Sequence, residues 1–337
     1  MKNIINDEKI QKFFSLFSAA QRIAVVSHTN PDGDAIGSGL AMTKALRQLD
    51  PLKDVRFIVP NDMPSHFDFV DMGRDVEVFA SGTKEYTAFL AAADLLIMVD
   101  FNDVKRLEKM GEAIERNIFA PRILIDHHQS PPKYDLLFHC VDSSSASLLT
   151  FKVLLALGVE LTVEIASALY LGMNTDTGGF MFGNLDRELY ESLAVLSSTG
   201  IDLVGINNKI YNSQSQSRLK MVGYLLSEKM RVLPERGAAY ITLTQEEKDR
   251  FDYQIGDTEG VVNMAMSIKG ICFAALLIET KEYIKLSLRS EAGCDIDVNA
   301  MAREHFNGGG HIKAAGGKFF GCMASAEARL LEVIGLL

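Results

Sequence analysis

Eight side chains able to hold a hard divalent cation fall in four short segments of the chain. His28, Asp32 and Asp34 share the run His28-Thr29-Asn30-Pro31-Asp32-Gly33-Asp34; Asp100 follows, then Asp126-His127-His128, and finally Asp176 in Asn174-Thr175-Asp176-Thr177-Gly178-Gly179. Carboxylate oxygens suit hard cations, and an added imidazole tilts the choice toward Mn²⁺ over Ca²⁺. Pro31 and Gly33 make a tight turn that lets His28, Asp32 and Asp34 address one space. Taken alone, that run reads equally well as a turn whose aspartates cap the next helix. The other segments change the balance, because ionisable groups at the ends of apolar runs are costly unless a cation compensates them. Of the seven histidines three lie in these clusters, whereas His66, His139 and His305 have no such company and read as ordinary surface or core residues.

The elements that must position these groups are legible as apolar runs. Arg22–Ser27, Val55–Val59, Leu95–Val99 and Arg122–Ile125 are short and rich in branched residues, and alternate with helical patterns such as 36–49 and 104–115. That alternation predicts a parallel sheet with crossover helices. Three of the four runs end directly in Ser27-His28, Asp100 and Asp126-His127-His128. In open α/β sheets the ligand crevice lies beyond the carboxyl ends of the strands, so these groups should meet at one edge. Helical periodicity dominates from Ser145 to about Glu228, in 147–157, 163–173, 187–198 and 214–229. Strand-like Ala238–Leu243, Cys272–Ile278 and Ile284–Leu288 then precede a glycine turn, Gly308-Gly309-Gly310, and a terminal helix near 324–334. Neighbouring strands of this kind predict a mixed α+β domain. The expected organisation is therefore an α/β domain over 1–186, a helical connector over 187–229, and a smaller domain over 230–337.

Size and composition agree with this division. A chain of 337 residues exceeds the usual single-domain length, and 47% hydrophobic with 23% charged residues excludes extended disorder. Net charge is −10, and residues 235–337 hold 11 Lys and Arg against 15 Asp and Glu, so tracking along long nucleic acids is not expected. Asp7, Glu8 and Lys9 interrupt any signal-like apolar stretch, and no run approaches a membrane span of about 20 apolar residues. The expectation is a cytoplasmic protein without membrane contact. Cys140, Cys272, Cys294 and Cys322 form no CxxC pair, which reads against a zinc knuckle or a disulfide framework.

The order His-x-x-Pro-Asp-x-Asp, Val-Asp, Asp-His-His and Thr-Asp-Thr-Gly resembles the DHH phosphoesterase superfamily, which also contains RecJ exonucleases and family II inorganic pyrophosphatases. Gly308-Gly309-Gly310-His311, with Ser287-Leu288-Arg289-Ser290 upstream, resembles the DHH-associated domain of the nano-RNase/pAp phosphatase branch. The likeness runs from about Gln21 to Phe320. It implies an N-terminal Rossmann-like domain with one metal on His28, Asp32 and Asp100, and a second on Asp34, Asp100, His127 and Asp176. It also implies two divalent cations, Mn²⁺ with Mg²⁺ as the alternative. His128 would face the substrate phosphate, and Asp126 would fix the orientation of a ligand imidazole. Arg289, His311 and the amides of Gly308, Gly309 and Gly310 would bind the nucleotide or its terminal phosphate. One departure concerns Met181, at a position where the family often has a basic residue, which puts the substrate range in question.

The chemistry this implies is in-line attack of an activated water on phosphorus between two cations about 3.5–4 Å apart. His128 would donate to a phosphoryl oxygen or assist the leaving group, and the second domain, with Arg289 as a phosphate clamp, would close over the cleft. The favoured partners are short RNA oligonucleotides and the 3′-phosphate of 3′-phosphoadenosine 5′-phosphate, with a homodimer also compatible. A phosphodiesterase for cyclic or linear dinucleotides, an exopolyphosphatase-like enzyme and a non-catalytic nucleotide sensor remain as alternatives.

Overall fold

The structure, a computed structural model, describes residues 4–71 and 73–335. The chain divides into two compact units between Ser213 and Gln214, inside the helical stretch 187–229.

The first unit opens with α1 (Asp7–Ala19), β1 (Arg22–Val26), α2 (Gly33–Leu49), β2 (Asp54–Val59) and β3 (Val76–Val78). It continues through α3 (Thr83–Ala91), β4 (Leu95–Val99), α4 (Lys109–Arg116), β5 (Arg122–Asp126) and β6 (Leu136–His139). Then come the helices α5 (Ala146–Ala156), α6 (Val163–Asp176), α7 (Arg187–Ser198) and α8 (Leu203–Tyr211). All the strands join one parallel sheet in the order β3-β2-β1-β4-β5-β6. Chain order reverses between β1 and β4, so the crevice typical of such sheets lies beyond the carboxyl ends of these two strands.

Alternation along the buried strands builds a three-layer unit. Ile23 and Val25 of β1 pack with Leu40 of α2, Leu149 of α5 and Leu169 of α6, whereas Ala24 and Val26 pack with Phe89 of α3 and Ile114 of α4. Successive strand side chains point to opposite faces, which is why a run apolar at every position needs helices on both sides. Helices α2 and α6 approach with no room between them. A methyl group at Gly37 would run into the Ala168 carbonyl oxygen, and one at Gly172 into Asp34 Oδ1 of α2 and Ser147 Oγ of α5.

The structure departs from the sequence pattern at defined points. Edge strands β3 and β6 are too short to show periodicity. The pattern over 104–115 resolves into a 3₁₀ turn, Val104–Leu107, and α4, broken at Glu108 where φ is 51°. Helix α6 runs on through Asp176, because the Thr177 hydroxyl donates to the Met173 carbonyl and closes its last turn.

The second unit comprises α9 (Gln216–Tyr224), β7 (Arg231–Leu233), β8 (Ala238–Leu243), α10 (Gln245–Arg250), α11 (Val261–Met266) and β9 (Phe273–Glu279). It ends with β10 (Ile284–Ser290), α12 (Val298–His305), β11 (Gly309–Gly310), β12 (Ala314–Phe319) and α13 (Met323–Ile334). Its sheet runs β11-β12-β10-β9-β8-β7, antiparallel except for the β8–β9 pair. Apolar residues cover both faces: Ala275 and Leu277 pack with Met301 of α12 and Leu330 of α13, while Ala274 and Leu276 pack with Met221 of α9 and Val262 of α11. The expectation about cysteines is corrected here, since Cys272 and Cys294 form a disulfide with Cα atoms 6.1 Å apart. Antiparallel register places Phe273 beside Ser290, which brings together two cysteines that no local spacing connects. Among the described residues no single helix is long and apolar enough to cross a membrane.

Candidate active site

Three of the four segments that carry the acidic and imidazole groups leave the sheet at its carboxyl edge. In the loops that follow β1, β4 and β5 the backbone enters the left-handed region at Asn30 (φ 54°), Asp100 (φ 62°) and Ser130 (φ 57°). Such residues cost about 1–3 kcal/mol each and persist where the surroundings over-determine them. At Asp100 the turn is secured by its amide, which donates to the Ile125 carbonyl at 3.1 Å. The fourth segment arrives on α6, whose close packing on α2 sets Asp176 beside the amino end of α2.

The acidic and imidazole groups gather into two clusters sharing one member. His28 Nε2 lies 3.3 Å from Asp100 Oδ2 and 3.9 Å from Asp32 Oδ2. His127 Nε2 lies 3.5 Å from Asp100 Oδ1, 3.6 Å from Asp176 Oδ2 and 3.8 Å from Asp34 Oδ2. The two oxygens of Asp100 thus face different clusters. Asp32 satisfies both readings of its run: Oδ1 caps α2 by accepting the Asp34 and Ala35 amides at 3.1 Å, leaving Oδ2 toward His28. Asp34 is held by the amino end of α5, accepting the Ala146 amide at 2.6 Å and the Ser147 amide at 2.8 Å.

Proton placement fits cation binding. His28 Nδ1 lies 3.0 Å from the Thr29 carbonyl and His127 Nδ1 lies 3.1 Å from the Ser143 carbonyl. A carbonyl only accepts, so each ring donates through Nδ1 and turns Nε2 toward the carboxylates, the tautomer a metal ligand needs. Burial, with the charges of Asp100 and Asp176, pushes the Asp34 carboxyl well above its ordinary range. Burial works against the ionised form of Asp100 too, but His127 and His28 outweigh it and hold that carboxyl well below. Burial also opposes charge on His127, yet Asp176, Asp100 and Asp34 raise it well above an ordinary histidine. Three carboxylates crowded on one imidazole leave an excess of negative charge that a divalent cation would neutralise. Oxygen and nitrogen donors of this kind suit Mn²⁺ or Mg²⁺.

Asp126 and His128 stand one layer behind. His128 Nδ1 lies 2.7 Å from Asp126 Oδ1, and the Asp126 carboxyl, despite burial, is held below its usual range by His128. Its other oxygen is buried with no hydrogen-bond partner among the described residues. His128 itself is pushed down, by burial first and by the charges of Arg106 and His127, against the pull of Asp126. Its Nε2 meets Arg106 Nη1 at 3.1 Å. Nothing in the sequence singles out Arg106, which falls in an amphipathic stretch that reads as a surface helix. Sequence reading also passes over His139, whose Nε2 lies 2.6 Å from the His128 carbonyl and so braces the site's backbone.

In the second unit, β10, β11 and β12 bring Arg289, Gly310 and His311 to one end of the sheet. Arg289 pairs with Ala314, Gly310 pairs with Ala315, and the His311 amide donates to the Ala314 carbonyl at 2.7 Å. The Gly308 amide donates to the Ala302 carbonyl at 3.1 Å and the Gly310 amide to Asn299 Oδ1 at 3.0 Å. Gly309 and Gly310 form a short strand rather than a free turn.

The sequence matches the model of the DHH family, N-terminal domain, over residues 22–173. Over 323 residues the chain is 28% identical to the Thermus thermophilus protein named bifunctional oligoribonuclease and PAP phosphatase NrnA, covering 93% of this chain and 89% of that one. It is 25% identical over 308 residues to the Bacillus subtilis protein of the same name, covering 87% and 88%. Among solved structures, an exopolyphosphatase-related protein from Bacteroides fragilis is 37% identical with a TM-score of 0.90, covering 99% of this chain and 98% of that chain.

Proposed function

This chain belongs to the DHH family of phosphoester hydrolases, and on that premise we propose that it cuts short oligoribonucleotides and removes the 3′-phosphate of 3′-phosphoadenosine 5′-phosphate. The observation that carries the reading is the Asp100 carboxylate, whose two oxygens face separate clusters at the switch point of the sheet. His28, Asp32 and Asp100 would hold one divalent cation, and Asp34, Asp100, His127 and Asp176 a second, with Mn²⁺ favoured over Mg²⁺ by the imidazoles. Bound there, the cations would supply Lewis acidity at the phosphoryl oxygens and lower the pKa of the attacking water. The chain's own part is to hold these donors rigidly. Thr29 and Ser143 fix the imidazole tautomers, α5 fixes Asp34, and the α2–α6 contact sets the reach of Asp176. Asp126 holds the His128 ring in place through Nδ1.

The two similar proteins named for oligoribonuclease and PAP phosphatase activity support the choice of substrate. Arg289 and His311 are assigned to nucleotide or phosphate binding on their placement at one sheet end. A second reading, hydrolysis of polyphosphate, is favoured by the exopolyphosphatase-related structure, which is the more similar in sequence. Product analysis with Mn²⁺ on a dinucleotide, five-nucleotide RNA, the bisphosphate nucleotide, a cyclic dinucleotide and polyphosphate separates them. Release of mononucleotides from RNA and of phosphate from the bisphosphate is expected. Phosphate from polyphosphate with no attack on either nucleotide substrate would replace this reading by the second.

A further inference from the structure

The contact between Arg106 and His128 carries a consequence for the chemistry. A guanidinium has five N–H donors and no acceptor, so His128 Nε2, 3.1 Å from Arg106 Nη1, must present its lone pair. The ring proton then lies on Nδ1, donated to Asp126 Oδ1 at 2.7 Å. In this state His128 offers a phosphoryl oxygen no proton, and the donor at that position is Arg106. Among the described residues the Arg106 side chain makes no other hydrogen bond or ion pair. It is half-buried, and its backbone is pinned to the ligand loop, because the Thr29 amide donates to the Arg106 carbonyl at 2.9 Å. His128 in turn lies 3.8 Å from the shared carboxylate Asp100, so the guanidinium stands one side chain from the two clusters.

We propose that Arg106 is a catalytic residue whose guanidinium, aimed by the lone pair of His128, holds the non-bridging oxygens of the phosphoryl group under attack. His128 is then a positioning residue. Asp126, His128 and Arg106 form a relay of orientation: the carboxylate sets the ring and the ring sets the fork. A planar fork with N–H groups to spare matches phosphate oxygens better than an ammonium does. Arg106 gives and takes no proton. The water oxygen bonds to phosphorus while the ester oxygen departs, and the water's proton reaches that oxygen through solvent. Charge gathers on the oxygens that Arg106 holds, where a fixed cation counts most.

The inference rests on the phosphoester reading of the site, not on the choice of nucleotide. The test therefore uses the Mn²⁺-loaded full chain on two probes, the dinucleotide pApA and bis(p-nitrophenyl) phosphate. Arg106→Ala is expected to lose about 10²–10³ in kcat on each probe that wild type hydrolyses, with bound Mn²⁺ unchanged by atomic emission. Inorganic phosphate should bind at least about tenfold more weakly by calorimetry, and added guanidinium chloride should restore part of the lost turnover. Arg106→Lys keeps the charge without the fork and should fall between the two. If wild type hydrolyses the nitrophenyl diester but not pApA, the nucleotide reading fails and the Arg106 comparison is made on the diester. Turnover of Arg106→Ala within about threefold of wild type, or loss of Mn²⁺ together with activity, overturns the proposal.

Discussion

Asp100 concentrates the demands of the site in one residue, with a left-handed backbone, a buried carboxylate and oxygens serving two clusters. Asp100→Ala is expected to reduce Mn²⁺-dependent turnover by at least about 10²–10³-fold and to lower the bound metal, while metal-free protein keeps its circular dichroism spectrum. Near-normal activity in that variant would refute the shared-ligand assignment. Asp126 acts at one remove. Asp126→Asn can still accept from His128 but loses the charge that fixes the ring, and a drop of about 10–100-fold in kcat is the expected size for a partner of this kind.

Helix α2 carries both ends of an argument about packing and charge. Its contact with α6 relies on Gly37, so Gly37→Ala should destabilise the first unit by about 1–3 kcal/mol and weaken Mn²⁺ binding by pulling Asp176 away, measurable by thermal melts and metal titration. A melt and a metal affinity both unchanged would show that the helices have slack. On its outer turns Lys44 and Arg47 meet Asp75 at 2.7 and 2.5 Å. Burial alone would raise the Asp75 carboxyl, but these two cations lower it on balance. A carboxyl lowered in the folded state stabilises above its unfolded pKa of about 3.9 and loses that contribution as pH falls through the folded value. Asp75→Asn should therefore narrow the gap in melting temperature between pH 6 and pH 3, and an unchanged gap would remove Asp75 from the acid response. In the second unit the disulfide closes a loop with a sequence separation of 22, for which chain entropy gives about 3 kcal/mol.

A molecule of net charge −10 gains little from following a long polyanion. Short substrates should therefore be preferred. The expected kcat/KM on two- to five-nucleotide RNA exceeds that on a 24-nucleotide RNA by at least about tenfold, equivalent to roughly 1.4 kcal/mol. The dependence of log K on log salt should be shallow, because few phosphates are contacted. Equal efficiency on both lengths with a steep salt slope would indicate a processive nuclease instead. Arg289 belongs to the other compact unit, so Arg289→Ala should raise KM and leave Mn²⁺ content at the wild-type level. Metal loss in that variant would break the separation of roles.

The clustered carboxylates and imidazoles and the sheet that presents them were readable from sequence because both signals are local. An apolar run ending in Asp or His states its own element and its own anomaly within a few residues, as at Val99-Asp100 and Ile125-Asp126. The motif order resembled a known family for the same reason, and the likeness supplied the grouping of ligands that spacing alone left open. Partners chosen across the fold were not readable. The amides of Ala146 and Ser147 hold Asp34 across 112 and 113 residues, Cys272 finds Cys294 only through antiparallel register, and Arg106 meets His128 from a 3₁₀ turn where its pattern suggests a helix. Sequence determined which chemical groups stand at the strand ends. Tertiary packing alone decided which groups face each other and where each imidazole carries its proton, because hydrogen-bond partners depend on register and close approach between segments whose sequences say nothing of one another.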